Sequence, residues 1–255
     1  MSLFDIFTKK NKLSSAIKQV ALARKSDAGK ANQLYKQAYQ SYAEILTDHP
    51  LLAETLYNWG FALLHEAKAK PVEEAESLYE EAIAKFSFCI MLSPNYLGAA
   101  IDSGVAWMDL ARLKGLPAHD QAYDRAKAQF ELANAIQNGP ACYNLACIYS
   151  LRGDQGACQS ALEDARDKGS LPDLDDIIAD PDLANVKSQA WFSEFLESVK
   201  TKKVVVDTPA VKPAAETIVP AEPEAAPAEA SAADEELAAN VEMAPAEDIP
   251  EHMRH

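Results

Sequence analysis

The side chains that could carry acid–base, nucleophilic or metal chemistry are five histidines, four cysteines and several carboxylate pairs, and their spacing limits what they can do. His49, His65 and His119 are scattered, and His252 and His255 fall in the C-terminal stretch. No nucleophile, phosphate-binding loop or metal constellation accompanies any of them. Cys89, Cys142, Cys147 and Cys158 fall on segments of helical periodicity, with Cys142 and Cys158 as neighbours across one helix pair. A metal site would want tighter spacing with histidine close by, and a structural disulfide would suit an oxidising compartment, so buried free thiols are expected. Glu73, Glu74, Glu80 and Glu81 read as a solvated helix face. These residues argue against an enzyme, and they imply neither a cofactor nor a metal.

The elements that must position them are helices. Leu13, Ala16, Ile17, Val20 and Ala21 recur at helical spacing. The pattern predicts helices over 13–24, 30–47, 51–68, 72–92, 97–113, 118–136, 141–151 and 155–167, with Ser26-Asp27-Ala28-Gly29 and Asn138-Gly139-Pro140 as breaks and Gly169 as a stop. No run has the alternation and β-branched richness of a strand.

Those helices repeat. A shift of 44 residues places Gly60 on Gly104, Tyr79 on Tyr123, Ala82 on Ala126 and Phe86 on Phe130, and the reverse shift reaches Ala16, Tyr35, Ala38 and Tyr42. Gly60 and Ala82 read as close-approach positions of two packed helices, with Trp59 and Phe86 filling the volume beside them. A shorter copy places Ala146 and Cys158 in the same columns, with Leu145, Tyr149 and Leu162. Lys12, Ser15 and Gln19 occupy expected apolar positions of the earliest copy, making it the least regular.

Leu56, Trp59, Gly60 and Leu63, followed by Ala82, Phe86 and Pro94, resemble the tetratricopeptide repeat family, whose period is about 34 residues. The resemblance implies an all-α, right-handed α-solenoid of antiparallel helix pairs. The two middle copies are longer, and residues around Lys70-Pro71-Val72 and Gly115-Leu116-Pro117 are expected to lengthen both helices of a pair. Asp173 to Ile178, Asp180-Pro181 and Trp191 to Leu196 resemble the closing module of many bacterial repeat arrays, a helical cap over about 170–200 with Asp180 as an N-cap.

Composition divides the chain near residue 200. Residues 201–255 hold 12 acidic and four basic side chains, against 27 and 20 in residues 1–200. Rich in Pro, Ala and Glu, that stretch is expected to be a disordered acidic tail, with Leu237, Val241 and Met243 as a short apolar motif within it. The acidic balance excludes nucleic acid as a partner. Residues 1–10 form a separate apolar segment through Leu3, Phe4, Ile6 and Phe7, followed by Lys9 and Lys10, and 11–200 form the repeat domain. Docking on the first repeat is expected for this segment, which is also the one place open to membrane contact. Its lysines follow the apolar part, unlike a secretory signal, so a cytoplasmic location is expected.

In the resembled family the first helices of successive repeats line a concave groove that receives a peptide. Here that stripe is Leu13, Ile17, Tyr57, Phe61, Ile101, Val105, Tyr143 and Cys147, almost wholly apolar. It lacks the Lys, Arg and Asn of members that clamp C-terminal carboxylates. An apolar groove suits an amphipathic helix or hydrophobic peptide, whereas a tightly curled array would make the same stripe core. The leading expectation is an adaptor that binds a protein or peptide. The alternatives are a scaffold that assembles through residues 1–10, as an oligomer or at a membrane surface, and a receptor for targeting helices that resembles organellar import receptors.

Overall fold

The computed structural model describes residues 3–46 and 51–205, and every regular element among them is helical. The expected tail, with its apolar motif, lies almost wholly outside the described residues. The elements are α1 (Leu3–Ala23), α2 (Ala28–Ile45), α3 (Leu52–Ala67), α4 (Val72–Leu92), α5 (Leu97–Leu113), α6 (Gln121–Ile136), α7 (Cys142–Leu151) and α8 (Gln155–Lys168). A short α9 (Leu174–Ala179), a 3-10 turn (Pro181–Leu183) and α10 (Ala190–Val205) follow.

Consecutive helices pack as α1/α2, α3/α4, α5/α6 and α7/α8, and the second helix of each pair packs on the first helix of the next. The result is an α-solenoid of antiparallel pairs. Aspartate starts three helices by accepting a backbone N–H two or three residues on: Asp27 from Lys30, Asp120 from Ala122 and Asp154 from Ala157. Gly169 ends α8 at φ 70°, a left-handed conformation that a side chain would resist.

Two departures from the sequence expectation have physical causes. The apolar residues at 3–7 belong to the first turns of α1 itself, which runs on without a break into the first repeat, and Phe7 remains 63% exposed. The polar residues of α1 serve as cross-links to α2: Lys12 Nζ pairs with the Glu44 carboxylate, and Gln19 donates to the Gln37 carbonyl at 3.3 Å. The inserted residues lengthen both helices of the α3/α4 pair, but in the α5/α6 pair mainly the first. With α3 at 16 and α5 at 17 residues against 10 for α7, the gain is roughly 10 Å of rod. Of the second helices, α4 has 21 residues against 14 for α8, whereas α6 has 16, because it begins only after the Pro117 turn.

The pairs are held by an interlock of ring and missing side chain. Phe86 and Phe130 are fully buried, and a Cβ built on Gly60 or Gly104 would lie 2.8 Å or 2.5 Å from those rings. Ala82, Ala126, Ala146 and Cys158 are likewise buried at 0% exposure in the small-residue columns. Successive pairs are joined by aromatic contacts. Trp59 lies 6.0 Å and 6.1 Å from the Tyr39 and Tyr42 ring centroids, with Lys85 Nζ 4.3 Å from the Trp59 centroid.

Glycine to alanine within a helix ordinarily stabilises by up to about 1 kcal/mol. Gly104→Ala should reverse that sign and destabilise by about 1–3 kcal/mol, because the phenyl ring of Phe130 is enclosed and cannot retreat. Gly60→Ala should do the same to a lesser degree, and Gly156→Ala, whose nearest neighbour atom is 4.0 Å away, should be neutral or stabilising. Urea unfolding midpoints of the three variants decide it.

Candidate functional site

The first helix α3 packs against both α1 and α5, so the predicted stripe up to Val105 falls on three adjoining helices. Within that stripe the residues divide. Ile17, Phe61, Ile101 and Val105 are partly exposed, so apolar surface from three successive first helices reaches solvent. Leu13, Tyr57 and Cys147 are buried, at 2%, 7% and 4% exposure.

Tyr57 is a pivot of the core and not a groove residue. Its ring lies 4.8 Å from the Tyr96 centroid and 6.2 Å from that of Phe86, and an added Cβ on Gly98 would come within 3.0 Å of it. Tyr57→Ala would therefore act on folding, as the core alternative of the sequence analysis requires at this position. The hydroxyl of Tyr57 donates a hydrogen bond to Asp102, which sits between Ile101 and Val105 on α5. Burial pushes the Asp102 carboxyl up to about 6, against the opposing pull of the Tyr57 hydrogen bond and the Lys68 charge.

Tyr143 and Cys147 are also removed from the open stripe, because the segment after α9 closes over them. Tyr143 donates its hydroxyl proton to Asp180 at 2.7 Å, and the Cys147 thiol lies 3.6 Å from the same oxygen. Asp180 also accepts the Asp182 N–H at 2.9 Å, starting the 3-10 turn as an N-cap with Pro181 in its first position. Asp182, only 6% exposed, takes the Arg112 guanidinium through both carboxylate oxygens. Cys147, Asp180 and Asp182 therefore converge to within 4.8 Å of one another. The trio is a poor cation site, because Arg112 already neutralises Asp182 and burial, with the neighbouring carboxylates, pushes the Cys147 thiol well above its ordinary value.

At the other end of the stripe, His65 lies against Phe61 with ring centroids 4.3 Å apart, and the Arg24 guanidinium sits 5.4 Å from the Phe61 centroid. Burial, with Arg24 and Lys68 nearby, holds His65 neutral by moving its pKa down to about 3. Behind it, Tyr39 donates to the Glu66 carboxylate at 2.5 Å. The four cysteines are free and buried, and burial pushes the Cys89 and Cys158 thiols up to about 12, which leaves no reactive thiolate at neutral pH.

Sequence reasoning missed Asp102, Arg112, Asp182 and the Arg24–Phe61–His65 group. The signal for the last was present: Arg24, Lys68 and Arg112 are themselves spaced by 44 residues. The pairing of Arg112 with Asp182 had no such signal, since the two lie 70 positions apart.

Residues 28–152, from the first residue of α2 to the C-cap of α7, match the family model for the plant-specific mitochondrial import receptor subunit TOM20. No curated protein matches this chain. The match spans just under half of the sequence and covers neither α1 nor the elements after α7. It overturns the cytoplasmic location expected from the order of lysines and apolar residues at the start of the chain, because the matched family is a mitochondrial import receptor subunit. That family is described as a receptor and not as an enzyme. No helix among the described residues is long and apolar enough to cross a membrane.

The Asp102 carboxyl provides a titration of the site. Its folded pKa stands above the ordinary value of 3.8, so the proton is held more tightly in the folded state. The stability it contributes is full below about pH 4 and is lost as pH rises through about 6, on the order of 2–3 kcal/mol. His65, held neutral, has the opposite slope below its ordinary value, so the carboxyl is best followed directly by carbon NMR. A midpoint near 6 is expected, rising further in Tyr57→Phe, which removes the hydrogen bond that favours the ionised form. A midpoint below 4.5 would contradict this account.

Proposed function

We propose that the chain is a non-catalytic receptor of tetratricopeptide type, which holds an amphipathic helical segment of another protein against Ile17, Phe61, Ile101 and Val105. The observation that carries this reading is that these apolar side chains stay partly exposed on three adjoining first helices while Leu13, Tyr57 and Cys147 of the same stripe are buried. A bound helix would set anchors at i, i+3, i+4 and i+7 along such a face. The match to an import-receptor family over α2 to α7 supports the receptor reading over a general adaptor. On this reading α9, the 3-10 turn and α10 form the closing module, and Asp180, at the start of the turn, holds Tyr143 and lies against Cys147, ending the stripe there.

Self-assembly through residues 1–10 is the second reading. It has the 63% exposure of Phe7 in its favour, and deletion of that segment would lower the molar mass measured by light scattering only under this reading.

The receptor reading is tested with a synthetic amidated peptide of about four helical turns, carrying leucines on one face. Phe61→Ala and Val105→Asp should each weaken its binding about tenfold or more in calorimetry, the loss expected of a central apolar anchor, with helicity unchanged. Ala84→Asp, on the exposed face of α4, should leave affinity unchanged. Equal losses in all three variants, or losses that track helicity, would count against the stripe as the binding face.

A further inference from the structure

Along the ends of the first helices runs a row of cations in register with the repeat: Arg24 on the first, Lys68 on the second and Arg112 on the third. Two of the three are answered by carboxylates. Asp109 joins the second and third, accepting Lys68 Nζ at 3.2 Å and Arg112 at 2.6 Å, and Asp182 takes the far side of Arg112. The residue one period before Asp109 is His65, and it is held uncharged. The first step of the ladder therefore has its cation and lacks its carboxylate. Among the described residues Arg24 has no carboxylate partner, and it is stacked over the exposed side of Phe61.

The space beside it is a cavity of about 410 Å³, lined by Arg24, Tyr35, His65, Glu66, Lys70 and Glu74 among others. The two acids there are already engaged. Glu66 accepts from the Tyr39 hydroxyl and lies 3.8 Å from Lys70, and Glu74 accepts from Lys70 at 3.1 Å. Arg24 carries the uncompensated charge of this edge. Its place at the C-terminal end of α1 complements the helix dipole, but a dipole does not take up the hydrogen-bonding fork of a guanidinium.

We infer that Arg24, with Phe61 beside it, forms a carboxylate subsite at the edge of the apolar stripe, and that the helix held on the stripe presents an acidic side chain there, completing the ladder in trans. This rests on the receptor reading and adds to it a sign of charge. General electrostatics runs the other way: a chain of formal net charge −15 attracts a basic peptide over an acidic one. A preference for acid is therefore a local property of Arg24, and the sign of the preference is the test.

The probes are two synthetic amidated peptides sharing one leucine face, one with glutamate and one with lysine at the flanking positions, titrated into the full chain at low ionic strength. The glutamate peptide should bind about fivefold more tightly, the upper end for an exposed pair, and the difference should fade in high salt. Arg24→Gln should abolish the difference. His65→Asp, which supplies an internal carboxylate where the next repeat has Asp109, should abolish the difference too. Equal binding of the two peptides, or tighter binding of the lysine peptide, overturns the carboxylate subsite and leaves the apolar stripe standing. A preference for glutamate that survives Arg24→Gln overturns it as well, and failure of both peptides to bind overturns the receptor reading along with it.

Discussion

The interlock of Phe86 with Gly60, and of Phe130 with Gly104, is the constraint on which the rest of the structure depends. A ring enclosed against a backbone that has no Cβ sets the distance between the two helices of a pair to within a few tenths of an ångström. Packed interiors have little slack to absorb an error in that distance. Once it is set, the flanking residues have no freedom in how they face. Tyr57 must turn inward toward Phe86 and Tyr96, and Phe61, one turn on, is left at the boundary with solvent. The partly exposed stripe is thus a consequence of how the pairs close and needs no separate folding instruction.

The lengthened first helices change what the repeat can offer. In the α7/α8 pair the first helix has 10 residues, and the closing segment covers its inward face through Asp180. In the two middle pairs the first helices have 16 and 17 residues, and their added turns carry His65, Lys68, Asp109 and Arg112 beyond the aromatic interlock. The ion pairs that link the middle repeats therefore lie at the ends of the rods. Ion pairs there bridge one repeat to the next, as Lys68 does to Asp109, whose carboxylate is partly shielded from water. The terminal Arg112–Asp182 contact extends the same device to the closing segment, tying it to α5 as well as to α7.

What could be read from the residues follows from which interactions are periodic. The helices were legible nearly to the residue in α4 and α5, because a single register of small and aromatic positions fixes both ends. The columns of Gly60, Gly104, Phe86 and Phe130 were legible for the same reason. The division of the stripe into open and closed positions was not. Tyr57 and Phe61 are both aromatic and four apart, and only the approach of Gly98 and Tyr96 from the next repeat decides that the first is core. Tyr143 and Cys147 were lost to a segment that has no counterpart in the other repeats, so no internal comparison could show it. The polar side of α1 misled for a related reason: Lys12 and Gln19 break the apolar pattern yet hold α1 to α2 by pairing across it.

A repeat array exposes its function where the repetition fails. Each inner step of this solenoid satisfies itself: ring against glycine, cation against carboxylate, and apolar face against the next rod. An interior step that is complete has nothing left to offer a partner. The residues that remain unsatisfied lie where a column changes type, at His65 in the position of Asp109, or where the apolar stripe reaches solvent between α1 and α5. Both fall at the same place in the molecule, around Phe61. Apolar surface alone would hold many partners weakly, and a lone surface arginine would hold none well. Set side by side on adjoining packed helices, they can require that an apolar anchor and a charge arrive at a fixed spacing, which gives such a surface its selectivity.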